Sequence, residues 1–294
     1  MSKRSNPRRG GGGRGGGRGG GARHRPKGGG GQRGTTPVRG DQRSERPKGP
    51  GGDQVEGRHA VRELLLAGTR KTREIVLAAD LDPASILDEI IDLADEARVE
   101  IREISRSKFE AMAKTDAPQG VLARAQPLPD RDLDDLLAAP GGRPPFLLFL
   151  DGITDPGNLG ALLRTGECAG VTGVVLPRHR AARITPTVTK AAAGAVEHLP
   201  IATVTGIPKA LGELAEHGIW SVGLDVAADT TVYDMKVADG PIALVLGAEG
   251  KGLSRLARER CDLVVTIPIL GVLDSLNVSA AAAVACFEVA RRRR

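Results

Sequence analysis

The feature that most constrains the fold is a pattern that occurs three times between residue 146 and the C-terminus. Each instance begins with an apolar run, at 146–151, 242–246 and 262–267, and continues through a turn with glycine and polar residues into a helical pattern. Such runs, bounded by turn residues, are typical of buried strands. Because ligands of parallel α/β folds bind beyond the carboxyl ends of the strands, the three turns are predicted to form one composite site.

Three further apolar runs, at 173–176, 200–204 and 219–224, alternate with helical patterns in the same part of the chain. This alternation favours a mostly parallel sheet covered by helices on both faces. The sequence therefore predicts an α/β fold, with one domain over residues 146–294.

Residues 53–126 show short strand and helix patterns and predict a second, smaller α/β domain, large enough to fold alone. Residues 127–145 are rich in proline and glycine, which indicates a linker. One helical turn is expected inside it, around 133–137.

The polar residues of the three turns are the candidate functional residues. Each also has a simpler structural explanation. Ser275 or Asn277 can cap the last helix. Glu249 is favourable near a helix N-terminus without any catalytic duty. Arg164 lies away from the apolar face of its helix, where arginines are usually just solvated. The residues alone leave both explanations open. The three turn segments are Asp155-Pro156-x-Asn158-Leu159-Gly160 with Arg164, Leu246-Gly247-x-Glu249-Gly250-x-Gly252, and Ser275-Leu276-Asn277-Val278-Ser279.

In order and spacing, these segments resemble the three signature motifs of the SpoU (TrmH) family of RNA ribose 2′-O-methyltransferases. Residues 57–65 also resemble the start of the substrate-binding domain of its 23S rRNA guanosine methyltransferase branch. The resemblance implies an S-adenosylmethionine-dependent enzyme that modifies 23S rRNA, with a trefoil-knotted SPOUT-type catalytic domain and a homodimeric assembly. A tRNA ribose methyltransferase and a non-catalytic ribosome-assembly protein that binds RNA are the alternatives.

The resemblance also implies roles for particular residues. Arg164 would hold a substrate phosphate and stabilise the developing alkoxide, since a guanidinium is a poor base. The implied catalytic residues are Asn158, Arg164, Glu249, Ser275 and Asn277, and the implied cofactor-binding residues are Gly247, Ile267 and Leu276.

The positive charge of the chain is unevenly distributed. Its net charge is +6, yet residues 1–52 hold 14 of the 42 Lys and Arg residues and two acids. That segment is rich in glycine and contains almost no large apolar residue, so it is predicted to be disordered. Its Arg-Gly repeats suggest electrostatic binding to RNA, and a merely solubilising tail is the alternative.

Cysteine usage and the apolar runs bear on the remaining classes of function. Three scattered cysteines support neither a disulfide framework nor a zinc site, and Cys168 and Cys286 are expected in the core. Residues 1–52 have no apolar segment typical of a signal peptide, and no run is long enough to span a membrane. We therefore expect a cytoplasmic protein without a metal. A nicotinamide oxidoreductase is disfavoured because no glycine-rich dinucleotide fingerprint follows the first catalytic-domain strand.

Overall fold

The computed structural model describes residues 50–138 and 142–294. Residues 1–49 and 139–141 lie outside the described part, and the prediction of a disordered tail over 1–52 therefore falls almost entirely outside the described residues.

The larger of two sheets has seven strands, and every pairing within it is parallel. The strand order is β7-β6-β5-β10-β8-β11-β9. All six strands predicted for this part of the chain are present, and the two-residue β9 is an addition that no apolar run signalled. The strands are β5 (Phe146–Asp151), β6 (Gly173–Pro177), β7 (Ile201–Val204), β8 (Trp220–Leu224), β9 (Thr230–Thr231), β10 (Ile242–Gly247) and β11 (Leu263–Thr266).

Helices cover both faces of this sheet, as predicted, because alternate residues of the central strands point to opposite sides. In β5, Leu148 belongs to one core cluster and Leu147 to the other. Both residues are fully buried. The covering helices are α4 (Leu133–Leu137), α5 (Pro156–Cys168), α6 (Pro186–Ala191), α7 (Ile207–Leu214), α8 (Arg255–Arg260) and α9 (Val278–Arg292).

The smaller sheet has four strands in the order β1-β4-β2-β3 and its own apolar clusters. Its first helix ends at Gly68, which adopts a left-handed φ of 57° as a C-cap. The predicted strands at 74–78, 100–104 and 120–125 are confirmed within one or two residues. The elements are β1 (Gln54–Glu56), α1 (Arg58–Ala67), β2 (Thr72–Ala78), α2 (Ser85–Glu96), β3 (Glu100–Ile104), α3 (Arg106–Met112) and β4 (Val121–Ala125).

A buried ion pair joins the part of the chain that carries the smaller sheet to the part that carries the larger one. Arg70 donates to both carboxylate oxygens of Glu197, at 2.9 and 2.5 Å. The two side chains are 3% and 0% exposed. Nearby, a Cβ at Gly194 would lie 2.5 Å from the Cβ of Glu63 on α1, so only glycine permits this close approach. The two parts are therefore fixed against each other by charge and by shape.

The expectation for Cys168 is wrong, whereas Cys286 is buried as predicted. Cys168 follows Arg164 by four residues on α5, so both lie on one face of the helix. That face is solvent-exposed. The apolar residues of α5 occupy the opposite face and supply its packing without the thiol.

Candidate functional site

A cavity of about 590 Å³ opens at the carboxyl edge of the larger sheet. Its floor is formed where three neighbouring strands end, at Leu224 of β8, Leu246 of β10 and Thr266 of β11. The second and third predicted turns supply most of its wall. Six predicted site residues line it, namely Gly247, Glu249, Ile267, Ser275, Leu276 and Asn277.

The turn after β10 folds back over the end of its own strand. The Gly252 amide donates to the Ala248 carbonyl at 2.8 Å, and Gly250 and Gly252 both have left-handed φ values. A Cβ at Gly247 would lie 2.0 Å from the Gly252 carbonyl carbon and 2.2 Å from the Leu253 nitrogen. Because these are backbone atoms, no side chain can be accommodated at 247. Glycine at this position therefore fixes the shape of the cavity wall.

Three of the predicted residues form a hydrogen-bonded chain that joins all three turns. The Asn158 side-chain amide donates to Glu249 Oε2 at 2.9 Å. The side-chain amide of Asn277 donates in turn to Asn158 Oδ1 at 3.0 Å. These residues are separated by 91 and 119 positions in sequence. The prediction that the three turns lie together is confirmed by these contacts.

Two of these turns also contain helix caps, so the simpler explanation of the polar residues is partly correct. The Asp155 side chain caps α5 by accepting from the backbone amide of Asn158 at 2.6 Å. Asn277 caps α9 by accepting from the Ser279 amide at 2.8 Å through Oδ1. Its Nδ2 is left to bond Asn158. Capping and site formation are therefore performed by different atoms of one side chain.

Arg164 and Ser275 lie apart from this chain of hydrogen bonds. Arg164 follows Asn158 by six residues on α5, about 9 Å along the helix axis, and its side chain is exposed. Within the described residues it makes no hydrogen bond or ion pair, and it does not line the cavity. Ser275 lines the cavity, and its hydroxyl donates to Asp274 at 3.2 Å.

The end of β8 is part of the cavity that the sequence did not indicate. Leu224, Asp225 and Val226 line it. The Asp225 carboxylate is already occupied, because it accepts from Arg258 at 3.2 Å and from the Ala227 amide at 2.9 Å. No glycine-rich turn follows β8, and only the strand order brings its end between β10 and β11.

The chemistry of the cavity suits a small ligand with both apolar and polar groups. Ile267 and Leu276 offer apolar surface, and the turn after β10 offers backbone groups that a glycine brings close. Its volume is in the range of small-molecule sites.

Among the described residues, no cluster of His, Cys, Asp and Glu side chains could hold a metal ion. No helix in this part of the chain has the length and apolar character to cross a membrane.

Comparison with known proteins gives two family matches. Residues 145–287 match the SpoU rRNA Methylase family. Residues 54–131 match a family described as RNA 2′-O ribose methyltransferase substrate binding.

Two relatives illustrate the similarity over most of the chain. A protein from Ralstonia nicotianae named 23S rRNA (guanosine-2′-O-)-methyltransferase RlmB is 43% identical over 240 residues, which cover 81% of this chain and 94% of the relative. A putative TrmH family tRNA/rRNA methyltransferase, YacO from Bacillus subtilis, is 40% identical over 245 residues, covering 82% and 96%.

Solved structures share the fold. The SpoU methyltransferase AviRb from Streptomyces viridochromogenes, solved in complex with the cofactor AdoMet, superposes with a TM-score of 0.68 at 25% identity, covering 82% of this chain and 90% of that one. A putative RNA methyltransferase of the TrmH family from Porphyromonas gingivalis gives a TM-score of 0.65 at 27% identity, covering 81% and 89%.

Proposed function

The chain belongs to the SpoU rRNA Methylase family, and on that basis we propose that it is an S-adenosylmethionine-dependent methyltransferase that methylates a ribose 2′-hydroxyl of 23S rRNA, at a guanosine. The observation that carries the proposal is the series of hydrogen bonds from Glu249 through Asn158 to Asn277, which joins the three family motifs beside the cavity. A tRNA ribose is the second candidate, favoured by the tRNA/rRNA description of the Bacillus subtilis relative.

We assign cofactor binding to the cavity. Bound S-adenosylmethionine supplies an electrophilic methyl group on a positively charged sulfur. Gly247 lets the backbone of its turn approach the ligand, and Ile267 and Leu276 offer apolar contacts. Asn158, Glu249 and Asn277 hold the three turns in register, so the wall is fixed before any ligand binds.

Arg164 is assigned to the RNA. Its guanidinium is exposed and free of partners within the described residues, so it can bind a phosphate and donate to the ribose 2′ oxygen as negative charge develops there. Ser275 lines the cofactor cavity, which Arg164 does not, and is assigned to shaping the reaction centre. Together these groups orient the hydroxyl toward the methyl group, and alignment of this kind contributes several kcal/mol to catalysis.

The finer architecture follows from the same proposal. Residues 53–126 would be the RNA substrate-binding domain, 127–145 the linker and 146–294 the catalytic domain, and the match over residues 54–131 supports the first of these. We also propose the trefoil knot that the family resemblance implies. The tight crossing of backbone at Gly247 is consistent with it.

We propose a homodimer built by the catalytic domain. The small residues of the alanine-rich helix α9 are only partly available for this contact, since Ala282 and Ala285 are buried within the chain. Support comes from the loop before α9, where Leu270 and Val272 are fully exposed, and from the half-exposed Phe287 on α9. Large exposed apolar groups of this kind are typical of interaction surfaces.

The function is tested with purified protein, labelled S-adenosylmethionine, and 23S rRNA or tRNA as substrates. Methylated riboses are then mapped by their resistance to alkaline cleavage. We expect one modified guanosine in 23S rRNA. Modification of tRNA alone would assign the second substrate, and no methylation of either RNA would favour a non-catalytic RNA-binding protein.

Gly247→Ala tests the cavity wall. Because the new Cβ collides with backbone, we expect about 1–3 kcal/mol lower stability and at least ~10-fold weaker S-adenosylmethionine binding by calorimetry. Gly218→Ala is the matched control, since Gly218 does not line the cavity, a Cβ there meets nothing within 4 Å and only its φ of +65° is strained. Equal cofactor affinity in the wild type and Gly247→Ala would remove this turn from the binding site.

Deletion of residues 1–49 tests the basic tail. Since residues 1–52 are strongly basic and residues 53–294 carry 28 Lys and Arg against 34 acids, the tail is expected to supply much of the nonspecific attraction to RNA. We expect weaker RNA binding and a flatter dependence on salt, with dimerisation unchanged. An identical salt slope in the truncated protein would leave the tail a solubilising segment.

A further inference from the structure

The loop between β6 and α6 carries a group of exposed basic residues. Arg178, His179, Arg180 and Arg183 are all exposed. Within the described residues, none of their side chains makes a hydrogen bond or an ion pair. Residues 53–294 as a whole carry six more acids than Lys and Arg residues, so this density of free positive charge is unusual for this protein. We refer to residues 178–183 as the arginine loop.

The arginine loop is firmly attached to the structure at several points. The Arg178 amide donates to the Val204 carbonyl at 2.7 Å. Ile184, directly after the loop, is buried in the core. Arg180 adopts a left-handed φ of 59°, which is uncommon for a residue with a side chain. Its backbone is thus held in one shape while its guanidinium groups point to solvent.

The arginine loop also lies beside the proposed active site. The Ala182 amide donates at 2.7 Å to the carbonyl of Ile153, in the turn that leads into Asn158. Strand β6 is the direct neighbour of β5, so both turns leave the same edge of the sheet. Helix α6, which follows the loop, packs closely on α5, where a Cβ at Gly160 would lie 2.4 Å from that of Ala191.

From this placement we propose that the arginine loop binds the phosphates of the RNA strand that flank the target ribose. The inference rests on the proposed function and adds a binding surface to it. Guanidinium groups bind phosphate oxygens through paired donors, and fixed phosphate contacts set the register of a nucleic acid without reading its sequence. Arg164 would act at the reacting ribose, and the arginine loop would hold the strand on either side of it.

The test is the triple variant Arg178→Gln, Arg180→Gln, Arg183→Gln in the full chain. We expect KM for a 23S rRNA transcript to rise at least ~10-fold, with kcat changed less than ~3-fold, because the arginines bind the strand and do not act in the chemical step. In filter binding, the slope of log affinity against log salt should fall by about 0.7–0.9 for each phosphate that the variant no longer neutralises. S-adenosylmethionine affinity should not change.

The matched control is Arg143→Gln, Lys236→Gln, Arg294→Gln. These three residues are exposed, and their substitution removes the same amount of positive charge near the amino ends of β5 and β10. Equal RNA affinity and equal salt slope in the two triple variants would overturn the proposal, as would binding that weakens only on ribosomal particles, which would indicate a protein partner. If the wild type methylates no RNA, the proposed function fails, and the filter-binding comparison still decides whether the arginine loop binds phosphates.

Discussion

Arg164→Ala is expected to lower the rate of methyl transfer by about 10²–10³-fold, the usual cost of removing one donor to a developing oxyanion. Stability should be unchanged, because the side chain is exposed and has no partner among the described residues. Calorimetry should show the same S-adenosylmethionine affinity as the wild type, since Arg164 does not line the cavity. Single-turnover kinetics on the unmethylated RNA that the wild type modifies would measure the loss in the chemical step.

Arg164→Lys separates charge from geometry. Lysine keeps the positive charge but loses the planar pair of donors, so we expect it to recover less than about a tenth of the lost rate. Arg143→Ala is the control, because this arginine is also exposed and precedes β5, at the opposite edge of the larger sheet. Turnover near the wild-type value in Arg164→Ala would return Arg164 to the role of an ordinary solvated arginine.

The strands of the larger sheet could be predicted because burial on both faces leaves a plain signal in the sequence. Phe146–Asp151 and Ile242–Gly247 are nearly continuous apolar runs, as expected for central parallel strands. Strand β9, with two half-buried threonines, leaves no such signal. The strand order is not encoded in any local pattern either, and that is why the contribution of Leu224–Val226 to the cavity was missed.

The candidate site could be predicted only as a set of turns. Strand–turn–helix patterns indicated that the three turns would lie together, and the hydrogen bonds between Asn158, Glu249 and Asn277 confirm this. The sequence could not tell whether Asn277 caps a helix or builds the site, because the two roles use different atoms of the same amide. The position of Arg164 away from the cavity also depends on how α5 lies across the sheet, which periodicity does not specify.

Long-range charge pairing is a further feature that local patterns do not contain. Arg70 and Glu197 are 127 residues apart, and neither belongs to a motif. In the structure Arg70 also donates to the carbonyls of Gln126 and Gly52, at 3.0 and 3.3 Å. One guanidinium therefore satisfies a buried carboxylate and two backbone oxygens at the contact between the smaller-sheet part and the larger-sheet part.

Arg70→Met is expected to destabilise the protein by about 3–5 kcal/mol, because it leaves Glu197 buried without a counter-charge. Burial already raises the pKa of Glu197 above its usual value, against the opposing effect of Arg70. Without Arg70 this pKa rises further. A carboxyl with a raised folded-state pKa destabilises the folded state when it is ionised, and protonation removes this cost. The unfolding free energy of the variant should therefore increase as the pH falls from neutral toward the usual pKa of a glutamate, measured by chemical denaturation.

The double variant Arg70→Met, Glu197→Met decides how the ion pair acts. A buried pair replaced by apolar residues of similar size is often as stable as the original, so the double variant should recover most of the stability that Arg70→Met removes. It should also show no such pH dependence, because no buried carboxyl remains at 197. The single variant Glu197→Met completes the comparison. If the losses of stability in the two single variants add up in the double variant, and Arg70→Met gains no stability at low pH, the desolvated charge of Glu197 is not what Arg70 offsets.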